Sequence, residues 1–305
     1  MAGAEAIVLL GPTASGKSAA AVALAKRLDA EIVSCDSMQV YRALPIGTAQ
    51  PTLAEREGIP HHLIGHLELS ERWDANRFVP AAQRLMAEIA SRGRRTVIVG
   101  GTGLYARALC YGMQLLPGDR GLAARLAEQA LTPEGRQVLL AELVAADAEV
   151  PEDIRLNPRH MVRAVEVLRL TGKPPWRQRA MSAAPLPGFQ QFCLLPELNP
   201  LKERIAKRTE AMLSAGWIEE ARAAYAQGLA EAPTAWQALG YREMRAYLAG
   251  EIKGGLSELA QLIVFATIRY ARRQLTWFRH QHPGMAFLEM GRPSAVAEAI
   301  LRQLA

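Results

Sequence analysis

Cysteine is scarce in this chain: Cys35, Cys110 and Cys193 stand far apart without a CxxC pair. That excludes a disulfide framework and a cysteine-built zinc site, and it suits a reducing compartment. Aromatic residues are few, at 6%, beside 50% hydrophobic and 22% charged residues, the balance of an ordinary globular protein. No apolar run approaches a membrane-spanning length, and the opening MAGAEAIVLLG has neither a basic leader nor a cleavage site. A cytoplasmic location without membrane contact is therefore expected. Internal repeats, low-complexity tracts and extended linkers are also lacking. Acid is in deficit, with 30 Asp and Glu against 36 Lys and Arg. The formal charge of +6 favours an acidic partner, whether polyphosphate, nucleic acid or anionic surface.

What is present is an alternation of strand-like and helix-like segments, the pattern of an α/β parallel sheet flanked by helices. Glu5 to Leu10, Glu31 to Ser34 and Thr96 to Val99 read as buried strands, with helices over Gly16 to Leu28 and Arg77 to Arg92. After Leu116 helix-favouring Ala, Leu, Glu and Arg dominate until the Pro-rich break at Ala183 to Gly188. A mostly helical lobe inserted over 117–182 is expected, between a first core part (1–116) and a returning part (183–305). Phe189 to Leu195 would rejoin the sheet, and amphipathic helices would follow from Pro200 to Gln281. At 305 residues two lobes are reasonable.

Gly11-Pro12-Thr13-Ala14-Ser15-Gly16-Lys17-Ser18 matches G-x-x-x-x-G-K-[ST] and lies between an apolar strand and a helix. Glycines let the backbone curl its N–H groups toward phosphate oxygens, the helix N-terminus adds a positive dipole end, and Lys17 adds a full charge. The Ser18 hydroxyl suits Mg²⁺. A structural glycine turn would explain the glycines but not Lys-Ser. The loop, P-loop NTPase-like in its setting, serves ATPases, kinases and transferases alike.

Many P-loop NTPases end a later strand in an acid that helps hold the metal, yet Thr96 to Val99 runs into Gly100-Gly101-Thr102-Gly103. The acid instead follows the second strand, at Asp36. In a parallel sheet that strand end shares a rim with the P-loop, so Asp36 faces the phosphate site, able to accept a proton there or merely to cap a helix. His61, His62 and His66 lack a neighbouring cysteine and the helical i, i+4 spacing of a zinc motif, and no zinc site is expected. A nucleotide or small-molecule kinase using ATP, and an RNA-binding switch module, both fit the loop and the charge.

The chain resembles the tRNA dimethylallyltransferases, also called isopentenyl-tRNA transferases. GPTASGKS at 11–18, DSMQVYR with PIGTAQP at 36–51, PHHLI at 60–64 and GGTGLYARAL at 100–109 carry the resemblance. RAVEVLRLTGKPP at 163–175, ERIAKR with ML at 203–213, LGYREM at 239–244 and RRQLTWFR at 272–279 extend it over most of the chain. Gly65, Leu239 and the Leu156-Asn157-Pro158 stretch depart from the family pattern.

The resemblance implies transfer of a dimethylallyl group from its diphosphate to N6 of the adenosine 3′ to the anticodon, position 37, with Mg²⁺ as cofactor and the anticodon stem-loop of tRNA as partner. Asp36 is then the acceptor for the N6 proton. Thr13 and Thr102 bond diphosphate oxygens, and Arg208 is a further cation on the leaving group. Four tRNA-contacting regions carry over: Asp36, Ser37, Met38 and Gln39; Arg159, His160, Met161, Val162 and Arg163; Ala238, Leu239, Gly240, Tyr241, Arg242 and Glu243; and Arg272, Arg273, Gln274, Leu275, Thr276, Trp277, Phe278 and Arg279. Arg155, Arg159 and Arg163 fall at helical spacing, and a second basic set of Arg269, Arg272, Arg273 and Arg279 lies beside Trp277 and Phe278, mixing phosphate contacts with stacking platforms. The target base would be extruded from its stack. A monomer is expected.

Overall fold

Short runs rich in Val, Ile and Leu become strands covered on both faces, as parallel strands require. In the computed structural model, which describes residues 6–178, 182 and 184–304, the strands are β1 (Ala6–Leu10), β2 (Ala30–Ser34), β3 (His61–His62), β4 (Arg95–Gly100), β5 (Phe189–Leu195) and β6 (Ala286–Glu289), of which β1, β2 and β4 are buried along nearly their whole length. Glu5 and Ala183, at the edges of the expected strand and break, lie outside the described residues. The strands form one sheet in the order β3-β2-β4-β1-β5-β6, every pairing parallel. β5 returns to pair with β1, Leu10 opposite Cys193.

Two strands escaped the sequence reading. β3 has two residues and β6 has four, too short for a period to show. His61 and His62 therefore belong to the sheet edge. The His61 Nδ1 lies 2.8 Å from the Ile59 carbonyl, and the His62 Nε2 lies 2.7 Å from Glu31. Burial pushes the Glu31 carboxyl up, but hydrogen bonds from Arg92, His62 and Arg94 outweigh it and hold it at about 2. His66 meets the Trp73 ring edge-on at 5.6 Å. No group of three or more His, Cys, Asp or Glu able to hold a metal occurs among the described residues, and none of their helices is long and apolar enough to cross a membrane.

Contacts divide the chain into two units, 1–111 with 183–305, and 112–182. In the first, the Lys17–Leu28 helix packs Ala20, Ala21, Leu24 and Ala25 against β1, β2 and β4 and against the C-terminal helix Pro293–Leu304. The second has its own core of Leu126, Leu139, Leu143, Met161 and Val165. The expected arginine stripe breaks here. Asn157 caps a new helix and Pro158 begins it, so Arg155 lies on the Glu152–Leu156 helix and Arg159 and Arg163 on the Pro158–Thr171 helix.

Gly100 ends β4 where its backbone runs against that of Cys35, just beyond β2. A Cβ built there would overlap the Cys35 carbonyl and approach its Cα within 2.8 Å. The contact keeps the two loops at the sheet's C-terminal rim together. Gly100→Ala is expected to cost about 2–3 kcal/mol in urea unfolding. Gly121→Ala, whose Cβ would find its nearest neighbour at 3.4 Å, should be neutral or stabilising by up to about 1 kcal/mol. Equal effects at the two positions would remove the close approach as the cause.

Candidate functional site

β1 delivers the chain into Gly11–Gly16, and the Lys17–Leu28 helix begins at once. Gly16 caps that helix with φ 85°, a left-handed conformation that glycine adopts without penalty. Ala14 also has positive φ, 63°, where a Cβ is strained by about 1 kcal/mol or more. That strained residue is held from outside, since Arg204 Nε donates to the Ala14 carbonyl at 2.9 Å. Next to it, Thr13 N–H donates to Gln274 Oε1 at 2.9 Å, and Arg208 donates to the Thr13 hydroxyl. Arg204 and Arg208 come from the Leu198–Ser214 helix and Gln274 from the Gly255–Gln281 helix.

The Gly16 cap has no side-chain hydrogen bond, and no acid lies in the first turn, so the positive end of the helix is left for an anion. Ser18 is exposed there. The Lys17 ammonium donates to the Pro12 carbonyl at 3.2 Å. Burial draws the Lys17 pKa down to about 8, with Asp36 opposing and Arg208 assisting the fall. Burial likewise lowers that of Arg208, again against Asp36. Two cations that burial disfavours thus feel one carboxylate.

Asp36 lies two residues past the end of β2. Its Oδ1 accepts the N–H groups of Met38 at 2.8 Å and Gln39 at 3.2 Å, a turn that leaves Oδ2 to point elsewhere. The turn is bound to the next rim loop: Ser37 N–H donates to the Thr102 hydroxyl at 3.0 Å, and Thr102 N–H to the Cys35 carbonyl at 3.3 Å. Thr13, Lys17, Asp36, Thr102 and Arg208, from four segments, therefore gather on the rim where β1, β2 and β4 end. The chemistry on offer is an anion cradle, two cations and a carboxylate able to take a proton.

Several residues expected to meet RNA are instead interior. Tyr241 and Phe278 are fully buried, and Met161, Ala238, Gln274 and Leu275 are nearly so. Phe278 packs rather than stacks, Tyr241 holds Glu220 through its hydroxyl, and Gln274 serves the P-loop. Arg163 is committed too, bonded to Glu166 at 2.6 Å and to the Leu116 carbonyl at 2.9 Å, while Arg155 caps the Val150 carbonyl at 2.9 Å. Arg159, Arg242, Arg269, Arg272, Arg273 and Arg279 remain exposed. Arg272, Arg273, Thr276 and Trp277 line an open groove with His280 and Gln281. Arg204 and Tyr270 were missed as site residues, and Gln274, expected to meet RNA, bonds the P-loop at Thr13 instead. Tyr270, its hydroxyl pKa raised by burial and by Asp36, lies under the Arg273 guanidinium at 5.8 Å. Only the i, i+3 and i, i+4 spacing to Arg273 and Gln274 signalled it.

A family model described as IPP transferase matches residues 39–281. A tRNA dimethylallyltransferase of Kocuria rhizophila is 40% identical over 295 residues, 95% of this chain and 91% of the relative. Among solved structures, a full-length tRNA isopentenylpyrophosphate transferase of Bacillus halodurans aligns with TM-score 0.70 and 33% identity, covering 98% of this chain and 95% of that one. A eukaryotic dimethylallyltransferase acting on tRNA aligns with TM-score 0.80 and 26% identity, covering 99% and 78%.

Because Lys17 titrates near pH 8 in the free protein, its charge is present below that pH and lost above it. Affinity for inorganic diphosphate should fall as pH rises through about 8, and Lys17→Arg, which stays charged, should move the falling limb upward. Isothermal titration across this range checks it; a limb unmoved in the variant would assign the titration to another group.

Proposed function

The chain belongs to the IPP transferase family of tRNA dimethylallyltransferases, and from that premise we propose that its rim site transfers a dimethylallyl group from dimethylallyl diphosphate to N6 of adenosine 37 in tRNA. The observation that carries the reading is the meeting of Lys17 and Arg208 with Asp36 and the absence of an acid at the end of β4, where Val99 and Gly100 stand instead.

The Gly11–Ser18 backbone, Lys17 and Arg208 bind the diphosphate, with the Thr13 hydroxyl between Arg208 and the loop. Adenine N6 is a weak nucleophile because its lone pair is delocalised into the ring. As N6 attacks C1 of the dimethylallyl group, the C1–O bond breaks and its electron pair leaves on the diphosphate. The growing negative charge is met by Lys17 and Arg208, which burial keeps poorly solvated and so effective at short range. The N6 proton passes to Asp36 Oδ2, whose Oδ1 is anchored by Met38 and Gln39. Thr102, holding Ser37, sits beside that transfer.

Mg²⁺ fits the donor set: Ser18 supplies one hard oxygen at the exposed helix start, and diphosphate oxygens with water would complete a shell that the protein alone does not build. When bound, it neutralises charge on the departing diphosphate. Arg159 in the inserted unit and Arg242, Arg272, Arg273 and Arg279 in the first give tRNA phosphates exposed cations, and Trp277 offers an aromatic face. The free, buried cysteines support work in the reducing cytoplasm, and a monomer suffices because the reacting groups come from one chain.

Purified protein with dimethylallyl diphosphate, Mg²⁺ and unmodified tRNA should release diphosphate and add one five-carbon unit to a single adenosine, read by mass spectrometry of the digested RNA. ATP consumption without mass gain on the RNA would favour a kinase. Asp36→Asn should keep binding of both substrates and lower single-turnover chemistry by about 10²–10⁴-fold; an unchanged rate would remove Asp36 from the proton transfer.

A further inference from the structure

Gln274 lies on the Gly255–Gln281 helix, 7% exposed. Its Oε1 accepts the Thr13 N–H at 2.9 Å, and its Nε2 donates to the Gly101 carbonyl at 2.8 Å. These partners fix the amide's orientation, because a backbone N–H only donates and a carbonyl only accepts. Burial makes both bonds costly to lose, since water cannot readily replace them.

The two loops so joined hold the two halves of the reaction. Thr13 belongs to the diphosphate cradle. Gly101 precedes Thr102, which is bonded to Ser37 at 3.0 Å through its hydroxyl and to Cys35 at 3.3 Å through its N–H. Asp36 stands between those two residues. Two hydrogen bonds through one side-chain amide therefore join the cradle to Gly101, and two more tie the adjoining Thr102 to the residues on either side of the proton acceptor.

We propose that Gln274 is a positioning residue for the transfer, its amide setting the separation between the diphosphate cradle and Asp36. The inference rests on the reading of the rim as a dimethylallyl-transfer site. Gln274 itself touches neither reactant. Its effect lies in alignment: leaving group, carbon and N6 must stand nearly in line, and a small displacement of one loop against the other lowers the rate while each loop still binds its own substrate.

The side chain's chemistry gives the test. Methionine keeps the length and volume of glutamine but loses both bonds. Glutamate keeps the shape; ionised, it sets a negative oxygen against the Gly101 carbonyl, and protonated, it donates there while accepting from Thr13, restoring the clamp. Single-turnover rates and substrate affinities are measured for wild type, Q274M and Q274E from about pH 6 to about pH 8.5, together with hydrogen exchange of the Thr13 amide. In Q274M the rate should fall about 10²-fold with both affinities within about threefold of wild type, and Thr13 should exchange faster. The rate of Q274E relative to wild type should rise as pH falls. A wild-type rate in Q274M, or a Q274E ratio flat in pH, overturns the proposal, and the second outcome is readable even if Q274M folds poorly. If wild type itself shows no transfer, the transferase reading fails, and unchanged Thr13 exchange in Q274M then overturns the clamp separately.

Discussion

An anion cradle must leave backbone donors unpaired, and a loop with unpaired donors cannot hold its own shape. At Gly11–Ser18 the Gly16 cap lacks a side-chain bond, Ala14 is in a left-handed conformation, and the helix that follows starts with its N–H groups facing outward. The loop is held instead by Gln274 on Thr13, Arg208 on the Thr13 hydroxyl and Arg204 on the Ala14 carbonyl. Two helices that come about two hundred residues later in the sequence thus supply the rigidity that the first loop lacks. Their packing on each other through Leu201, Ile205, Ala271 and Leu275 becomes a condition of the site.

Electrostatics follow from the same arrangement. Arg208 crosses from its helix to the loop to reach the Thr13 hydroxyl, and both it and Lys17 are half-buried. Each loses some preference for its charged form, and the carboxylate of Asp36 restores part of it. An entering diphosphate would complete the compensation, so the site attracts anions more strongly than its exposed arginines alone would.

Legibility in the sequence tracked distance along the chain. The P-loop was readable because each of its residue types answers to local backbone geometry, and the position of Asp36 because a parallel sheet brings its strand ends to one rim. The Pro158 break was written in the sequence but lost to the i, i+4 spacing of Arg155 and Arg159, which suggested one helix where a capping Asn and a proline make two. β3 and β6 could not be seen, since strands of two and four residues are specified by neighbours rather than by pattern. Nor could Gln274 be told from its exposed neighbours: a polar residue amid arginines reads as surface, and its partner Thr13 is 261 positions away. Phe278 beside Trp277 looked like a pair of stacking platforms, although helical geometry sends adjacent residues to different faces and only one can look outward.

The Gly100-Gly101-Thr102-Gly103 segment shows how a glycine-rich motif can be a packing device rather than a phosphate loop. A Cβ at Gly100 would collide with the Cys35 backbone, one at Gly101 would stand 2.5 Å from Gln274 Nε2, and one at Gly103 would enter the Trp277 ring. Each glycine thus makes room for a different partner: the segment after β2 that leads into Asp36, the side chain that steadies the P-loop, and an aromatic of the groove-lining helix. None of the three has the positive φ that would call for glycine on conformational grounds. Their need is steric, and the residue between them, Thr102, is the one whose side chain has space to act, on Ser37. The spacing G-G-T-G therefore encodes a three-way junction at which the P-loop, the Asp36 turn and the Gly255–Gln281 helix meet.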